Sequence, residues 1–300
     1  MSDHSLQEDF LVVLSSRTEN RLGRDFVVLA PPQAGPTQIG QMEEDPTLHR
    51  RLLADSQRLR GRIYLQDGAI REDALTLDGR HIQPADDRSW HLLTIDRERQ
   101  VTACIRYLAH PAGISYSDLE VSRAILHQPP PFEERVRRSV QAEVAKSNAL
   151  GFSYVELGGW VVGEELRCST EAIRMLLMMY SLSQLLGGAI ALSTATTRHN
   201  SSSILRRTGG KSLMESGSEL APYYDPNYNC EMEMLTFDSR SPNPRYTGWI
   251  REFQVALLQI PVIAPSIIPA DFSLLNLHRA IERLEDQGTE RVTDSLVASR

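Results

Sequence analysis

Hydrophobic and polar positions along the chain switch repeatedly between a helical and a strand-like period, and this alternation predicts the elements. From Thr47, Leu48, Leu52, Leu59 and Ile63 recur at near-helical spacing behind an Asp45-Pro46 start signal, so a helix with an arginine-rich exposed face is expected. Trp90–Ile95 and Val101–Leu108 read as two strands joined by the charged turn 96–100, with Val101, Ala103, Ile105 and Tyr107 on one face. After Pro129-Pro130-Pro131, Phe132, Val136, Val140 and Val144 repeat every four residues and predict a second helix. A strand over Ser153–Val162, an apolar helix over Thr170–Leu186, a Gly187-Gly188 stop and a strand over Ile190–Thr196 then make a βαβ unit, which requires parallel strands. A short helix over Ser201–Thr208 ends at Gly209-Gly210, Asn229–Asp238 alternates as a strand, and Leu274–Gln287 returns to helical spacing. Upstream, Phe10–Leu14 and Phe26–Leu29 read as a hairpin, with a linker from Pro31 to Gly40.

Composition narrows the class. The 300 residues are 41% hydrophobic and 24% charged, as in an ordinary globular protein. A net charge of -7 argues against general nucleic-acid binding, so any basic patch is local. Cys104, Cys168 and Cys230 are few, odd in number and far apart, which suggests neither a disulfide framework nor a metal site and fits a reducing cytoplasm. Met1–Glu8 lacks the pattern of a secretory signal. The most apolar stretch, Val255–Leu275, is broken by Pro261, Pro265 and Pro269 and holds Asp271, so it reads as an excursion covering the core and not as a membrane span. No repeat of 20 to 50 residues is present.

The order hairpin, helix, strand, helix, strand, helix, strand resembles the GNAT superfamily of N-acyltransferases, most sharply from Glu156 to Gly210. Within it, Glu156-Leu157-Gly158-Gly159-Trp160-Val161-Val162 is similar to the fourth strand of acyl-homoserine lactone synthases, and the layout also resembles N-acyl amino acid synthases. The resemblance implies an α/β (α+β) GNAT fold: a mixed central sheet with helices on both faces. The domain would span 41–240, with extensions at 1–40 and 241–300, the latter partly helical.

The resemblance also assigns roles. Trp160, Val161 and Val162 would flank the acyl donor, and Arg167 with the amides of Cys168, Ser169 and Thr170 would receive its phosphate at a helix start. The pattern departs from the family's glycine-rich loop, since Arg167-Cys168-Ser169-Thr170-Glu171-Ala172 lacks the first glycine, and Gly210 stands where an aromatic residue is usual. Arg167 either holds phosphate or pairs with Glu164 or Glu171. Asn200 matches the family's asparagine after the fifth strand, where Ser193 and Thr194 would face substrate.

Glu156 stands where the fold places a base, or is a salt-bridged strand carboxylate. Tyr223 and Tyr224, with Tyr228 as a third candidate, either protonate the departing thiolate or cover apolar surface. Arg106 meets an acceptor carboxylate, faces solvent, or pairs with Glu156. His199 and Cys168 lack the partners of a nucleophilic triad, and Met175, Met178 and Met179 mark a core helix. Arg135, Arg137, Arg138, Arg206 and Arg207 offer a local basic surface for an acidic carrier protein, or a solvated helix face.

The expectation is therefore an N-acyltransferase without a metal, using acyl-CoA or an acyl carrier protein thioester as co-substrate and a small amine such as an amino acid as acceptor. An acetyl-CoA enzyme, or a non-catalytic sensor of acyl thioesters, are the alternatives.

Overall fold

The computed structural model describes residues 25–35, 39–226 and 228–266. The Phe10–Leu14 arm of the expected hairpin and the Leu274–Gln287 helix lie outside the described residues.

The expected central succession is present. The hairpin β3 (Trp90–Ile95) and β4 (Val101–His110) leads through short α2 (Glu120–Ala124) and α3 (Pro130–Ala149) to β5 (Ser153–Val162). Helix α4 (Glu171–Leu185), strand β6 (Ala189–Thr196), helix α5 (Ser201–Thr208) and strand β11 (Cys230–Asp238) follow. The N-terminal helix α1 (Pro46–Gln66) begins where the start signal placed it, with the Asp45 carboxylate accepting from the Thr47 and Leu48 amides.

One ten-stranded mixed sheet runs β10 (Tyr223–Asp225), β11, β6, β5, β4, β3, β1 (Asp25–Leu29), β12 (Pro261–Ala264) and β2 (Gln41–Glu44), with β7 (Lys211–Ser212) beside β11, while β8 (Met214–Glu215) and β9 (Ser218–Glu219) pair only with each other. The described parts of the segments expected to be extensions, 25–35 and 241–266, thus contribute to the same sheet and core. β1 pairs with β3 and, in parallel, with β12, while α6 (Thr247–Leu257) buries Trp249, Ile250 and Leu257 in the core beside α4. The covering excursion expected from Val255 contributes an inner strand. A parallel pairing between residues more than 200 positions apart leaves no local trace, which is why a hairpin was expected for Phe26–Leu29 instead.

Helices cover both faces. α4, α5 and α6 pack on one, around Leu92, Ile105, Tyr107, Val155 and Leu177. On the other, α1 covers the β1-β3-β4 end through Leu52, Leu59, Leu93 and Cys104, and α3 covers the β6-β11 end through Val136, Val140, Ile190 and Met234. Val101 joins the α1 side and not the face of Ala103, Ile105 and Tyr107. A register shift between Thr94 and Ile95 turns it over, as one extra residue in a period-two strand must. Among the described residues, no helix is long and apolar enough to cross a membrane.

β5 and β6 pair in parallel only from Ser153↔Ala189 to Leu157↔Ser193. Beyond Leu157, β5 keeps β4 alone, through Gly158↔Arg106, Val161↔Cys104 and Val162↔Ala103, and β6 keeps β11 alone. The parting coincides with a bulge that sets Gly159 and Trp160 against the single residue Ile105. Gly159 sits at φ +59, where a side chain is strained, and a Cβ there would lie 2.9 Å from Arg60 Nη1. Gly159→Ala is therefore expected to cost about 2 kcal/mol in urea unfolding. Gly158→Ala should cost clearly less, because Gly158 lies outside the positive-φ region and its Cβ would lie 3.1 Å from Arg106 Nη2, a contact that a shift of a few tenths of an ångström relieves.

Candidate functional site

Three loops and one helix end meet at the mouth of the parting. Following β5, a turn over Glu164–Leu166 leads to Arg167, then to Cys168 at φ +61, Ser169 and the start of α4. Ser169 Oγ accepts the Glu171 amide at 3.1 Å. Ala172 and Ile173, in the first turn of α4, have no carbonyl one turn back for their amides. Arg167 pairs with neither Glu164 nor Glu171. Its Nη2 donates to both Asp67 oxygens, at 3.0 and 3.3 Å, at the C-terminal end of α1. Glu171 is instead buried, accepting from Thr94 Oγ1 at 2.7 Å and pairing with Arg174 at 3.0 Å.

From the other arm, Arg198 donates to the Asp67 carbonyl at 2.8 Å and to the Asn229 carbonyl. The end of α1 thus ties together the loop after β5, the loop after β6 and the β10–β11 turn. Ser193 is buried at the last paired position, and Thr194 is the first residue beyond it. Asn200 caps α5 from a left-handed conformation, φ +60, without a side-chain cap bond. Trp160 and Val162 pack toward α4, whereas Val161 packs toward α1. The side chain of His199 lies outside the described residues.

A buried polar cluster fills the α1 face of β4 and β5. Asp86, 1% exposed, accepts from Arg60 through both guanidinium Nη atoms, from Arg106 Nη1 at 2.9 Å, from Gln57 Nε2 at 3.1 Å and from the Gln83 amide at 3.0 Å. Arg106 Nη1 also donates to Gln83 Oε1 at 2.8 Å. Burial would raise the Asp86 carboxyl, but the Arg60 charge and hydrogen bonds, with Arg106 behind them, hold it well below the usual carboxylate range. Two buried guanidinium groups thus face one carboxylate. Among the described residues, Arg106 Nη2 has no partner and lies over the Gly158 backbone. The Nε atoms of both arginines and His81 Nδ1 are buried without partners.

Aromatic rings wall this space. Tyr64 lies 5.6 Å from the His81 ring and 6.0 Å, edge-on, from Tyr228, and the charges of Arg60 and Arg106 reach all three. Arg60, His81, Gln83 and Asp86 were not singled out from the sequence. The signal was present in α1, where Ser56, Gln57, Arg60 and Gly61 fall on the buried side of a helix whose arginines were expected at the surface.

Glu156 is buried and engaged. Its Oε2 accepts from His110 Nε2 at 2.8 Å and the Glu120 amide at 2.9 Å, and its Oε1 accepts the Val121 amide at 2.8 Å, so it holds the start of α2. It does not meet Arg106. Tyr223 is buried near Phe132 with an unpartnered hydroxyl, while Tyr224 is 53% exposed and donates to Asn229 Oδ1 at 2.6 Å. The basic run on α3 is neutralised, since Arg135 and Arg138 reach Glu215 and Arg137 reaches Glu134. Arg206 pairs with Glu233, so its joint surface with that run is not a free cationic patch.

The cluster predicts how stability responds to acid. Burial, with Arg60 as the next cause, lowers His81 to about 4, and burial lowers His91 to about 4 against the pull of its bond to the Asp86 carbonyl. Unfolded histidine binds its proton near 6.5, so between 6.5 and 4 the unfolded chain holds more protons and stability falls as pH falls. Below that window the depressed Asp86 carboxyl continues the loss. Urea midpoints measured from pH 7 to pH 4 should fall monotonically, and His91→Gln should flatten part of the slope.

No protein-family model and no curated protein sequence matches the chain. Among solved structures it is similar to a CoA-dependent acyl-homoserine lactone synthase, BjaI, with SAM and isopentyl-CoA, at 14% identity, with a TM-score of 0.49 over 80% of this chain and 93% of that one. A second CoA-dependent acyl-homoserine lactone synthase, MesI, shares 17% identity with a TM-score of 0.46 over 79% of this chain and 98% of that one. FeeM, an N-acyl amino acid synthase from uncultured soil microbes, shares 13% identity with a TM-score of 0.38 over 62% of this chain and 83% of that one.

Proposed function

We propose that the chain transfers an acyl group from a phosphopantetheine thioester, carried by CoA or an acyl carrier protein, to the amine of a small acceptor that bears a carboxylate, such as an amino acid. The observation that carries this reading is the parting of β5 and β6, with an open helix start at its mouth and a buried excess of positive charge beside it. An extended pantetheine arm can enter the parting and pair with the strand edge that β5 no longer shares with β6. Its phosphate meets the α4 amides and Arg167, which must leave Asp67 to bind it.

On the α1 face, the acceptor carboxylate completes the charge balance of the Asp86 cluster by binding Arg106 Nη2. A buried guanidinium without a full set of partners is costly, and a carboxylate in that place relieves the cost. The acceptor amine then attacks the thioester carbonyl directly: the C–N bond forms, the C–S bond breaks, one amine proton leaves to a base and the thiolate takes up a proton. Glu156 remains the candidate base through the lone pair that Oε1 still has free, reached through water. Tyr228, half-buried beside Tyr64 and under the charges of Arg60 and Arg106, is the proton donor proposed for the thiolate, ahead of Tyr223 and Tyr224.

Acyl-CoA and acyl carrier protein donors, incubated with an amino-acid pool, should release thiol and yield an N-acyl product by mass spectrometry. Arg106→Gln should raise the acceptor KM at least tenfold and leave the donor KM within about twofold, as expected for loss of a charge-assisted pair. Equal rises in both constants, or activity confined to amines without a carboxylate, would contradict this assignment.

A further inference from the structure

Between α1 and β3 the chain runs back along α1 as a strap, residues 68–89, that carries His81, Gln83 and Asp86 into the buried cluster. Close approach to α1 fixes its course. Gly61 leaves room for it, since a Cβ there would lie 2.5 Å from the Gly79 carbonyl oxygen and 2.9 Å from Leu75 Cδ2. The His81 amide donates to the Gln57 carbonyl at 3.1 Å, and the His81 carbonyl accepts from Arg60 Nη2. Gln83 and Asp86 then close a reciprocal turn. The Gln83 amide donates to Asp86 Oδ2 at 3.0 Å, and the Asp86 amide donates to the Gln83 carbonyl at 2.9 Å. The backbone at 83 is therefore pinned, and what varies with the residue there is the side chain alone.

That side chain decides the charge of the cluster. Its carboxamide oxygen accepts from Arg106 Nη1 at 2.8 Å, beside Asp86 Oδ1 at 2.9 Å. Both bonds fall on Nη1, so they fix the guanidinium plane and leave Nε and Nη2, the two donors along one edge, without partners among the described residues. Gly158 lies against that edge, where a Cβ would sit 3.1 Å from Nη2 and 3.9 Å from Nε. Two parallel N–H donors on one edge are what a carboxylate takes bidentately. Among the described residues, Asp86 is the only carboxylate bonded to Arg60 or Arg106. Gln83, whose place a glutamate of the same shape could take, adds a hydrogen bond and no charge.

We propose that Gln83 is the positioning residue that keeps this site for a carboxylate from outside: it turns the free edge of Arg106 toward Gly158 without neutralising it, and so selects an acceptor carboxylate over its amide. This rests on the acceptor reading of Arg106 above. A glutamate at 83 would hold the same edge in the same place and cancel the charge that an acceptor meets. An alanine would leave the charge and give up the orientation.

The test uses acetate, with acetamide as its uncharged isostere, at matched ionic strength on the wild type, Gln83→Glu, Gln83→Ala and Arg106→Gln. It reads the thermal midpoint, the Kd by calorimetry and, in the acyl-transfer assay, the acceptor and donor KM. Acetate and not acetamide should raise the wild-type midpoint. Gln83→Glu should be at least as stable as the wild type without ligand, yet bind acetate about tenfold more weakly and raise the acceptor KM as much, with the donor KM within about twofold. Gln83→Ala should lose about threefold in affinity and keep the preference for acetate over acetamide. A Gln83→Glu protein that binds acetate like the wild type, or is clearly less stable without it, overturns the inference, and the acceptor reading survives if Arg106→Gln abolishes binding. If acetate does not bind, or binds regardless of Arg106→Gln, both fall. If binding follows Gln83 and Arg106 while no donor releases thiol, the inference stands and the transfer reading fails.

Discussion

Everything at the site follows from how briefly β5 and β6 stay together. Five residue pairs hold them in parallel, from Ser153↔Ala189 to Leu157↔Ser193, and then the Gly159 bulge bends β5 toward β4. A sheet that kept this pair zipped to Val162 would be an unbroken wall between α4 and α1. Because the strands part, the start of α4 on one face and the Asp86 cluster on the other flank a stretch of sheet where β5 and β6 no longer pair.

The cluster is what makes the second face unusual. Buried ion pairs return little net stability because desolvation offsets attraction, and a buried 2:1 ratio of guanidinium to carboxylate is less favourable still. Gln57, Gln83 and the backbone supply hydrogen bonds to Asp86 but no charge, and His81 and His91 are held neutral. The proposed acceptor carboxylate would supply the negative charge that the cluster lacks. Asp67 has a comparable place on the side proposed for the donor, where it holds Arg167 by its carboxylate and Arg198 by its carbonyl. Both arms of the parting are thereby tied to the helix that also presents Tyr64 to Tyr228.

The central half of the fold was legible in the sequence because its signals are local: the Asp45 cap, the four-residue repeat from Phe132, the Gly187-Gly188 stop, and the strands on either side of α4. β12 was not, since its partners β1 and β2 lie more than 200 residues away and its own prolines read as breaks. For the site, spacing located the β5 and β6 arms and the loop at Arg167, yet it could not show that Arg167 meets Asp67 or that Glu156 spends three hydrogen bonds on α2 and His110. Arg60 was hidden for a related reason. An arginine on a helix reads as solvated unless its buried carboxylate, here Asp86 on a loop 26 residues later, is known to be beneath it.

The most direct test is a crystal structure with a non-hydrolysable acyl-CoA thioether. The account predicts the sulfur in the parting just beyond the Leu157–Ser193 pair, and the phosphates at the start of α4 with Arg167 turned from Asp67. A ligand seated instead in the open groove lined by Arg206, Lys211, Arg240 and Arg251, with β5 and β6 empty between them, would contradict it.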